Sequence, residues 1–309
     1  ALFTRHNDDI QQMNRLTLVA NTFWSSGVAA DFATELECFR PDVVHVHNTF
    51  PLISPAIYWV AARYRVAIVQ TLHNFRLFCP QAMFLRDGQV CESCLGHVPW
   101  RGALHGCYRH SRLQSSVLAG MMTAHRLIGT WQHKVTRYIA LNHFSRDKFI
   151  AGGLPANKVS VKANFVDFPQ PIVQARQGFL FVGRLSAEKG IDVLARALAK
   201  VPTPDIRIAG TGPEESCLLA APVQRLGALN GDQVRQEMSR AMALVLPSIC
   251  YENFPRTLVE AFGCGLPVIA SRIGALAELI EDGITGLLFT PGDADDLATK
   301  LLWAREHPE

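Results

Sequence analysis

The chain has 309 residues, of which 49% are apolar and 18% are charged, so it can bury about two domain cores and lacks the composition of a disordered protein. Residues 1–167 carry 17 Lys and Arg against 10 Asp and Glu (net +7), whereas residues 168–309 carry 13 against 17 (net −4). The basic half favours an anionic partner. The sequence has no dense Lys/Arg block with interleaved aromatic residues, which argues against nucleic acid, and it has no apolar run of 18 residues, so no membrane span is predicted.

Two short strands near the start of the chain each end in a histidine. They are Asp42–His47 and Ala67–His73, and the helical pattern of Ile53–Arg65 lies between them. A strand, a helix and a strand in this order form a β-α-β unit, which predicts a parallel sheet. A histidine at a strand end is more often structural than functional, so this pattern alone assigns the two histidines no role.

Four of the eight cysteines cluster at Cys79, Cys91, Cys94 and Cys107, around a hairpin predicted to turn at Asp87-Gly88. Two thiolates separated by two residues can reach one tetrahedral metal, and the flanking pair completes a four-sulfur set for a structural zinc ion. Such a site has no open position, so it is given no catalytic role. Two disulfides or four reduced structural thiols fit the same spacing.

The apolar-rich stretch Leu113–Val135 has basic residues at its margins. It predicts either a core helix of a first domain or an amphipathic helix that contacts a membrane, and its small residues favour the core helix. The elements predicted to follow are a strand at Arg137–Leu141, a helix at Phe144–Ala151, a strand at Val159–Ala163 and a Pro- and Gln-rich linker at Phe168–Gln177. The predicted domains are therefore residues 1–167, with a Cys-rich insertion at 79–107, and residues 168–309.

The second half begins with an apolar strand that ends in Gly183 and places Arg184 and Lys189 in the following loop. The next strand breaks into Gly210 and Gly212, which would let the backbone approach a ligand closely. Two cations and two glycines after neighbouring strands predict an anion site, although a Gly-x-Gly by itself is a weak indication.

Glu252 and Glu260 flank a predicted strand-loop-helix junction, between the strands Ala241–Leu246 and Pro267–Ser271. Pro255 suits the first turn of a helix, which would run to Gly263 or Gly265. The N–H groups at that helix start would attract a diphosphate, and Glu260 could bind a pair of vicinal hydroxyls. The alternative is that both glutamates are solvated surface charges.

The motifs Gly-Arg-x4-Lys-Gly, Ala-Gly-x-Gly-Pro-Glu, Glu-x7-Glu and Gly-x-Pro-Val-Ile-Ala-Ser occur in this order. Their order resembles that of the retaining, family 4-like (group 1) glycosyltransferases, which include sucrose synthase-like, mannosyl- and glucosyltransferases. The resemblance implies an α/β fold of the GT-B type, with two Rossmann-like domains facing each other across a cleft. It also implies transfer of a sugar from a UDP- or GDP-sugar to a glycan, lipid-linked or small-molecule acceptor.

By this resemblance, the reacting groups are Arg184 and Lys189 at the departing diphosphate, Glu252 at the transferred sugar, and His73 beside that sugar, with His47 second in rank. The implied nucleotide contacts are Gly183, Gly210, Gly212, Leu226 with the backbone that follows it, Asn253, Phe254, Thr257, Leu258 and Glu260. No Asp-x-Asp stands at a strand end to bind catalytic magnesium, since Asp293-Ala-Asp295 predicts a helix start, so no catalytic cofactor is expected.

Ala1–Arg5 is predicted to be a strand. In the family that the motifs resemble, a first strand and a glycine-rich loop precede such a strand, so the first domain is expected to be incomplete. A nucleotide-sugar enzyme acts where its donor is made, which predicts the cytoplasm, with peripheral contact at the inner membrane face. A catalytically silent nucleotide-sugar-binding protein is an alternative. A GT-B-type epimerase is another, although it would need acid and base residues that the motifs do not supply.

Overall fold

A computed structural model describes residues 1–6, 8, 10, 13–168 and 175–307 of the chain. The chain divides into two compact units, and each is described by itself. The first comprises Ala1–Phe84 with Cys91–Lys162, and the second comprises Leu85–Val90 with Ala163–Glu309. Each unit contains a parallel sheet with helices, as the predicted α/β fold class requires.

The elements up to residue 162 are α1 (Arg15–Phe23), α2 (Ser26–Phe39), β1 (Val43–Val46), α3 (Ala56–Arg63), β2 (Ala67–Thr71), β3 (Leu85–Arg86), β4 (Gln89–Val90), α4 (Trp100–Leu104), α5 (Arg112–Leu127), β5 (Arg137–Ala140), α6 (His143–Ala151) and β6 (Val159–Val161). The first sheet has the strand order β1-β2-β5-β6, and its pairs are parallel. The predicted β-α-β unit is therefore confirmed. The predicted hairpin is also confirmed, because β3 and β4 pair antiparallel around Asp87 and Gly88, both with positive φ.

The predicted strand at Ala1–Arg5 is wrong, because these residues pair with no strand in the described part of the chain. The side chains hold the segment against α2 instead. The ring of Phe3 lies 5.4 Å from that of Phe32, and Arg5 forms an ion pair with Asp31. An alternating apolar pattern predicts a strand only where a neighbouring edge is available to accept its hydrogen bonds.

The stretch Leu113–Val135 is not one continuous helix. Helix α5 ends at Leu127, Gly129 adopts a left-handed φ of 71°, and a π-helical turn follows at Thr130–Lys134. The inner face of α5 is buried in the first unit, as the core-helix interpretation predicts, at Ser115, Leu118, Ala119, Met121, Met122 and His125. Within the described ranges, no helix is both long and apolar enough to cross a membrane.

The second unit contains β7 (Phe179–Val182), α7 (Ile191–Leu198), β8 (Ile206–Ala209), β9 (Gln224–Gly227), α8 (Gly231–Arg240), β10 (Ala243–Leu246), α9 (Arg256–Gly263), β11 (Val268–Ser271), α10 (Gly274–Leu279), β12 (Gly286–Phe289) and α11 (Ala294–Glu306). Its sheet has the parallel order β12-β11-β10-β7-β8-β9. Helix α9 begins directly after Pro255, close to the predicted start. Of the predicted linker, residues 169–174 lie outside the described residues.

The loops after β7, β8 and β10 pack backbone against backbone. A Cβ atom on Gly210 would lie 1.8 Å from the Gly183 carbonyl oxygen, and one on Gly212 would lie 2.1 Å from the Leu185 carbonyl oxygen. Gly190 has a φ of 70°, and its Cβ would lie 1.9 Å from the Pro247 carbonyl oxygen. Gly210 and Gly212 therefore allow a neighbouring loop of the protein itself to approach closely.

The substitution Gly190→Ala tests whether this loop packing carries stability. Its Cβ would overlap the Pro247 carbonyl and occupy a left-handed conformation, so we expect the free energy of unfolding of the second unit to fall by at least about 2 kcal/mol. Gly231→Ala is the matched control, because nothing lies within 4 Å of its Cβ position, and its effect should stay within about 0.5 kcal/mol. Urea unfolding followed by circular dichroism measures both, and equal midpoints would contradict the packing argument.

Candidate functional site

The loops after β7, β8, β9 and β10 lie at one edge of the second sheet, because the carboxyl ends of parallel strands point the same way. We call this set of loops the carboxyl edge. The residues predicted to bind a nucleotide are distributed over it, with Gly183 after β7, Gly210 after β8 and Asn253 after β10. Ligands of open α/β sheets bind at such an edge.

Lys189 and Glu252 form an ion pair at the carboxyl edge. Lys189 ends a short 3₁₀ turn after β7, and Glu252 lies in the loop after β10, yet Lys189 Nζ is 2.5 Å from Glu252 Oε1. Ser248 Oγ donates a second hydrogen bond of 2.8 Å to the same oxygen. The side chains are only 30% and 14% exposed, so the pair is shielded from water and is stronger than a surface ion pair.

The protonation of this pair follows from two opposing effects. Burial lowers the pKa of Lys189, but the charge of Glu252 and its hydrogen bond raise that pKa by more, so it ends above its usual value. The neighbouring Cys250 thiol has its pKa raised to about 12 by burial and then by the charge of Glu252. At neutral pH Lys189 is therefore an ammonium and Cys250 an uncharged thiol.

Arg184 is exposed at the same edge and forms no ion pair with any residue that the structure describes. It lines a cavity of about 530 Å³ together with the backbone of the glycine loops. The lining residues are Val182, Gly183, Arg184, Ala209, Gly210, Thr211, Gly212, Pro213, Ala228, Leu229 and Val234. Leu226 itself lies within β9, and it is the backbone after it that reaches the cavity.

Glu260 lies one turn into α9, and its side chain is 16% exposed. Arg256 Nη2 is 3.1 Å from Glu260 Oε1, because residues four positions apart share one face of a helix. Both residues line a smaller cavity of about 280 Å³ with Phe168, Asn230, Gly231, Asp232 and Arg235. A carboxylate in a polar recess of this size can accept hydrogen bonds from two adjacent hydroxyls.

The start of α9 carries four of the residues predicted to contact the nucleotide. Asn253 is buried, whereas Phe254 and Thr257 are half-buried. The Leu258 side chain is fully buried in the core, and its N–H donates a 3.1 Å hydrogen bond to the Pro255 carbonyl. The nucleotide contacts of these four residues stay a prediction.

In the first unit, the two predicted histidines contact each other. His47 Nδ1 lies 2.7 Å from His73 Nε2, and His45 Nε2 lies 2.8 Å from Thr71 Oγ1. Burial lowers the pKa of His73, and the neighbouring His47 and His45 lower it further. In the hydrogen-bonded pair one ring nitrogen donates and the other accepts, so at least one imidazole is neutral.

His47 and His73 line a cavity of about 330 Å³ that we call the cationic cavity. Its lining residues are Arg5, His47, Asn48, Thr49, Phe50, Leu52, Ile53, Gln70, Thr71, Leu72, His73, Asn74, Arg76 and Leu77. The sequence analysis missed Gln70 and Arg76. A signal was available for Arg76, because Asn74-Phe-Arg76 continues directly from the histidine of the second strand.

The structure does not show the predicted zinc site at the four clustered cysteines. In the described part of the chain, no group of three or more His, Cys, Asp or Glu side chains is arranged to hold a metal ion, and no disulfide is formed. Cys79 and Cys94 are buried, and burial chiefly raises the pKa of Cys94, to about 11. The choice between structural zinc and reduced structural thiols stays a prediction.

Two sequence profiles match successive parts of the chain. "Glycosyltransferase Family 4" matches residues 17–169, and "Glycosyl transferases group 1" matches residues 176–307. In fold, the crystal structure of Anabaena HepE in complex with UDP-glucose is similar, with a TM-score of 0.65 and 20% sequence identity, covering 90% of this chain and 72% of that one.

Curated proteins show the same relationship. Sulfoquinovosyl transferase SQD2 of Arabidopsis thaliana is 35% identical over 276 residues, which are 87% of this chain and 50% of the relative. The phosphatidylinositol N-acetylglucosaminyltransferase gpi3 subunit of Schizosaccharomyces pombe is 30% identical over 231 residues, 69% of this chain and 50% of the relative. The chain thus spans about half the length of these relatives. With its two α/β units and both profile matches, the chain belongs to the family 4 (group 1) glycosyltransferases of the GT-B fold.

Proposed function

We propose that this protein transfers a sugar from a nucleotide-sugar donor to an acceptor hydroxyl. The observation that carries the proposal is the shielded pair of Lys189 and Glu252, beside the exposed Arg184, at the carboxyl edge of the second unit. This edge lies in the part of the chain that the group 1 profile matches. The similar fold of HepE, which was crystallised with UDP-glucose, supports a nucleoside diphosphate sugar as the donor.

The chemical step requires stabilisation of the leaving group. When the bond between the anomeric carbon and the diphosphate oxygen breaks, negative charge grows on the nucleoside diphosphate. Lys189 and Arg184 supply fixed positive charge for it, and the first N–H groups of α9 supply partial positive charge. Because Lys189 is held by Glu252, its ammonium is already oriented before the donor binds.

The remaining contacts orient the donor. Glu260 is placed to accept hydrogen bonds from the ribose hydroxyls, and Glu252 from the transferred sugar. The backbone after Leu226 lines the larger cavity, where it can contact the nucleobase. The larger cavity is therefore proposed to bind the base and the diphosphate, and the smaller cavity to bind the ribose.

We further propose that transfer proceeds with retention and without a catalytic metal. The cations named above take the role that a metal would have at the diphosphate. The single Asp-x-Asp of the sequence is used structurally, since Asp293 caps α11 by accepting hydrogen bonds from the N–H groups of Asp295 and Asp296. Product NMR reads the anomeric configuration, and turnover that survives EDTA is the expected result for metal independence.

The acceptor is proposed to bind the first unit, where His73 would lie beside the transferred sugar. A glycan, a lipid-linked glycan or a small molecule would each present the hydroxyl that the reaction needs. The name of the fission yeast relative includes phosphatidylinositol, which supports a lipid acceptor. Peripheral contact with a membrane from the cytoplasmic side is proposed together with such an acceptor. Mass spectrometry of the protein incubated with pooled nucleotide sugars and a lipid or oligosaccharide extract would identify both substrates.

Lys189→Ala and Arg184→Ala should each lower turnover at saturating donor by a hundredfold or more, or about 3 kcal/mol, because they remove charge that stabilises the leaving group. The control is Arg196→Ala, which removes an exposed cation that pairs with the exposed Asp192 on the same helix. Donor consumption measured by coupled release of nucleoside diphosphate gives the rates. Near-normal turnover in both cation variants would mean that other groups stabilise the leaving group.

Glu260→Ala should mainly weaken binding of the nucleotide. Calorimetric titration with UDP and GDP should show a loss of tenfold or more for the preferred nucleotide, consistent with two lost hydrogen bonds to a charged acceptor, or about 1.5–3 kcal/mol. Affinity of the unsubstituted protein should also fall as salt rises, because Arg184 is exposed. An unchanged affinity of the Glu260 variant would remove this residue from the ribose site.

A further inference from the structure

Arg76 is a half-buried cation in the first unit, and it forms no ion pair with an acidic residue that the structure describes. Its guanidinium lies 5.0 Å from the centre of the Phe50 ring and 5.1 Å from that of the Tyr108 ring. Nη1 donates a hydrogen bond to the Pro80 carbonyl, and its other guanidinium N–H groups make no hydrogen bond to the residues that the structure describes. A guanidinium has five donors, so several remain for a ligand.

The electrostatic surroundings of Arg76 favour an anion. Burial lowers the pKa of Arg76, Tyr108 and Cys79 oppose that shift, and Arg109 lowers it further. No carboxylate of the described residues forms an ion pair with this guanidinium. Removing part of the water around a charge costs free energy, which contact with two aromatic rings offsets only in part. A bound oxyanion would offset the rest.

Gln70 provides a second, independent indication of a ligand. It is 6% exposed, lines the same cavity, and its Oε1 has no hydrogen-bond partner in the described residues. A buried amide oxygen without a hydrogen-bond partner is unfavourable, because it has lost its hydrogen bonds to water. Because an amide oxygen accepts hydrogen bonds, it suits a hydroxyl of the ligand and not the anion itself.

The charged side chains that line the rest of the cationic cavity also favour an anionic ligand. Its described lining contains Arg5, Arg76, His47 and His73, and no Asp or Glu. Arg5 is compensated by Asp31, so Arg76 is the cation that lacks an acidic partner. At about 330 Å³, the cavity has the size of a site for one small molecule or head group.

We propose that the cationic cavity binds an acceptor carrying both hydroxyl groups and an oxyanion, with Arg76 bound to the oxyanion and Gln70 to a hydroxyl. The assignment of this ligand as the acceptor rests on the proposed transferase function. The oxyanion can be a phosphate ester or a carboxylate, since a planar guanidinium pairs with both through two hydrogen bonds.

The test compares three sugars that differ in charge. Glucose 6-phosphate, glucuronate and neutral glucose are titrated against the protein, each with UDP at saturation so that the carboxyl edge is occupied. At least one of the two anionic sugars should bind tenfold or more tightly than glucose, and its affinity should fall with salt. Glucose binding as tightly as both anions would overturn the proposal without any variant being needed.

Two variants assign the contacts. Arg76→Gln should reduce affinity for the anionic sugar tenfold or more and leave glucose unchanged, whereas Gln70→Leu should weaken binding of both sugars alike. Arg101→Gln is the control, because its guanidinium also lies against an aromatic ring, 5.5 Å from that of Trp100, but does not line the cavity. Full anion affinity in a folded Arg76→Gln protein would place the oxyanion elsewhere and contradict the proposal.

The UDP titration separates this inference from the proposed function. If UDP binds and the anionic sugars show no preference, the transferase proposal stands and the assignment of the cationic cavity fails. If UDP does not bind but the preference for anions depends on Arg76, the cavity is an anion site and its ligand is not shown to be an acceptor.

Discussion

The contact of Gly190 with the Pro247 carbonyl is the constraint on which the site of the second unit depends. Only a glycine allows this approach, since a Cβ would lie 1.9 Å from that oxygen. The contact brings the loop after β7 beside the loop after β10, and so places Lys189 against Glu252, although 63 residues separate them in sequence. An ammonium and a carboxylate held in this way are oriented before a ligand arrives, which is the condition for electrostatic stabilisation of a leaving group.

Local patterns predicted most of the fold. The start of α11 matches the prediction because Asp293 gives a clear cap, and β7 and β10 were visible as apolar runs ending in loops. The incorrect predictions arise where tertiary structure decides the outcome. The segment Ala1–Arg5 has the pattern of a strand but pairs with no neighbouring strand, and whether a partner exists is decided by tertiary structure.

The same limit applies to the sites. The glycines, Arg184 and Glu260 could be predicted because each follows a strand or opens a helix. The hydrogen bond between His47 and His73, and the contacts of Arg76 with two aromatic rings, join residues that are distant in sequence. The cysteines are a different case, since their spacing suits zinc but no group of three or more described His, Cys, Asp or Glu side chains is arranged to hold a metal ion. Sequence spacing indicates which residues could lie together, and tertiary packing determines which of them do.

Hydrogen-deuterium exchange with and without a nucleoside diphosphate tests the central claim most directly, because it locates the donor along the chain. With UDP or GDP at saturation, protection should appear in the loops after β7, β8 and β10 and in the first turn of α9, as expected when N–H groups bind phosphate. The loops after β1 and β2 should exchange at their original rate. Protection confined to the first unit, or absent from the loop that carries Lys189 despite measurable binding, would contradict the account.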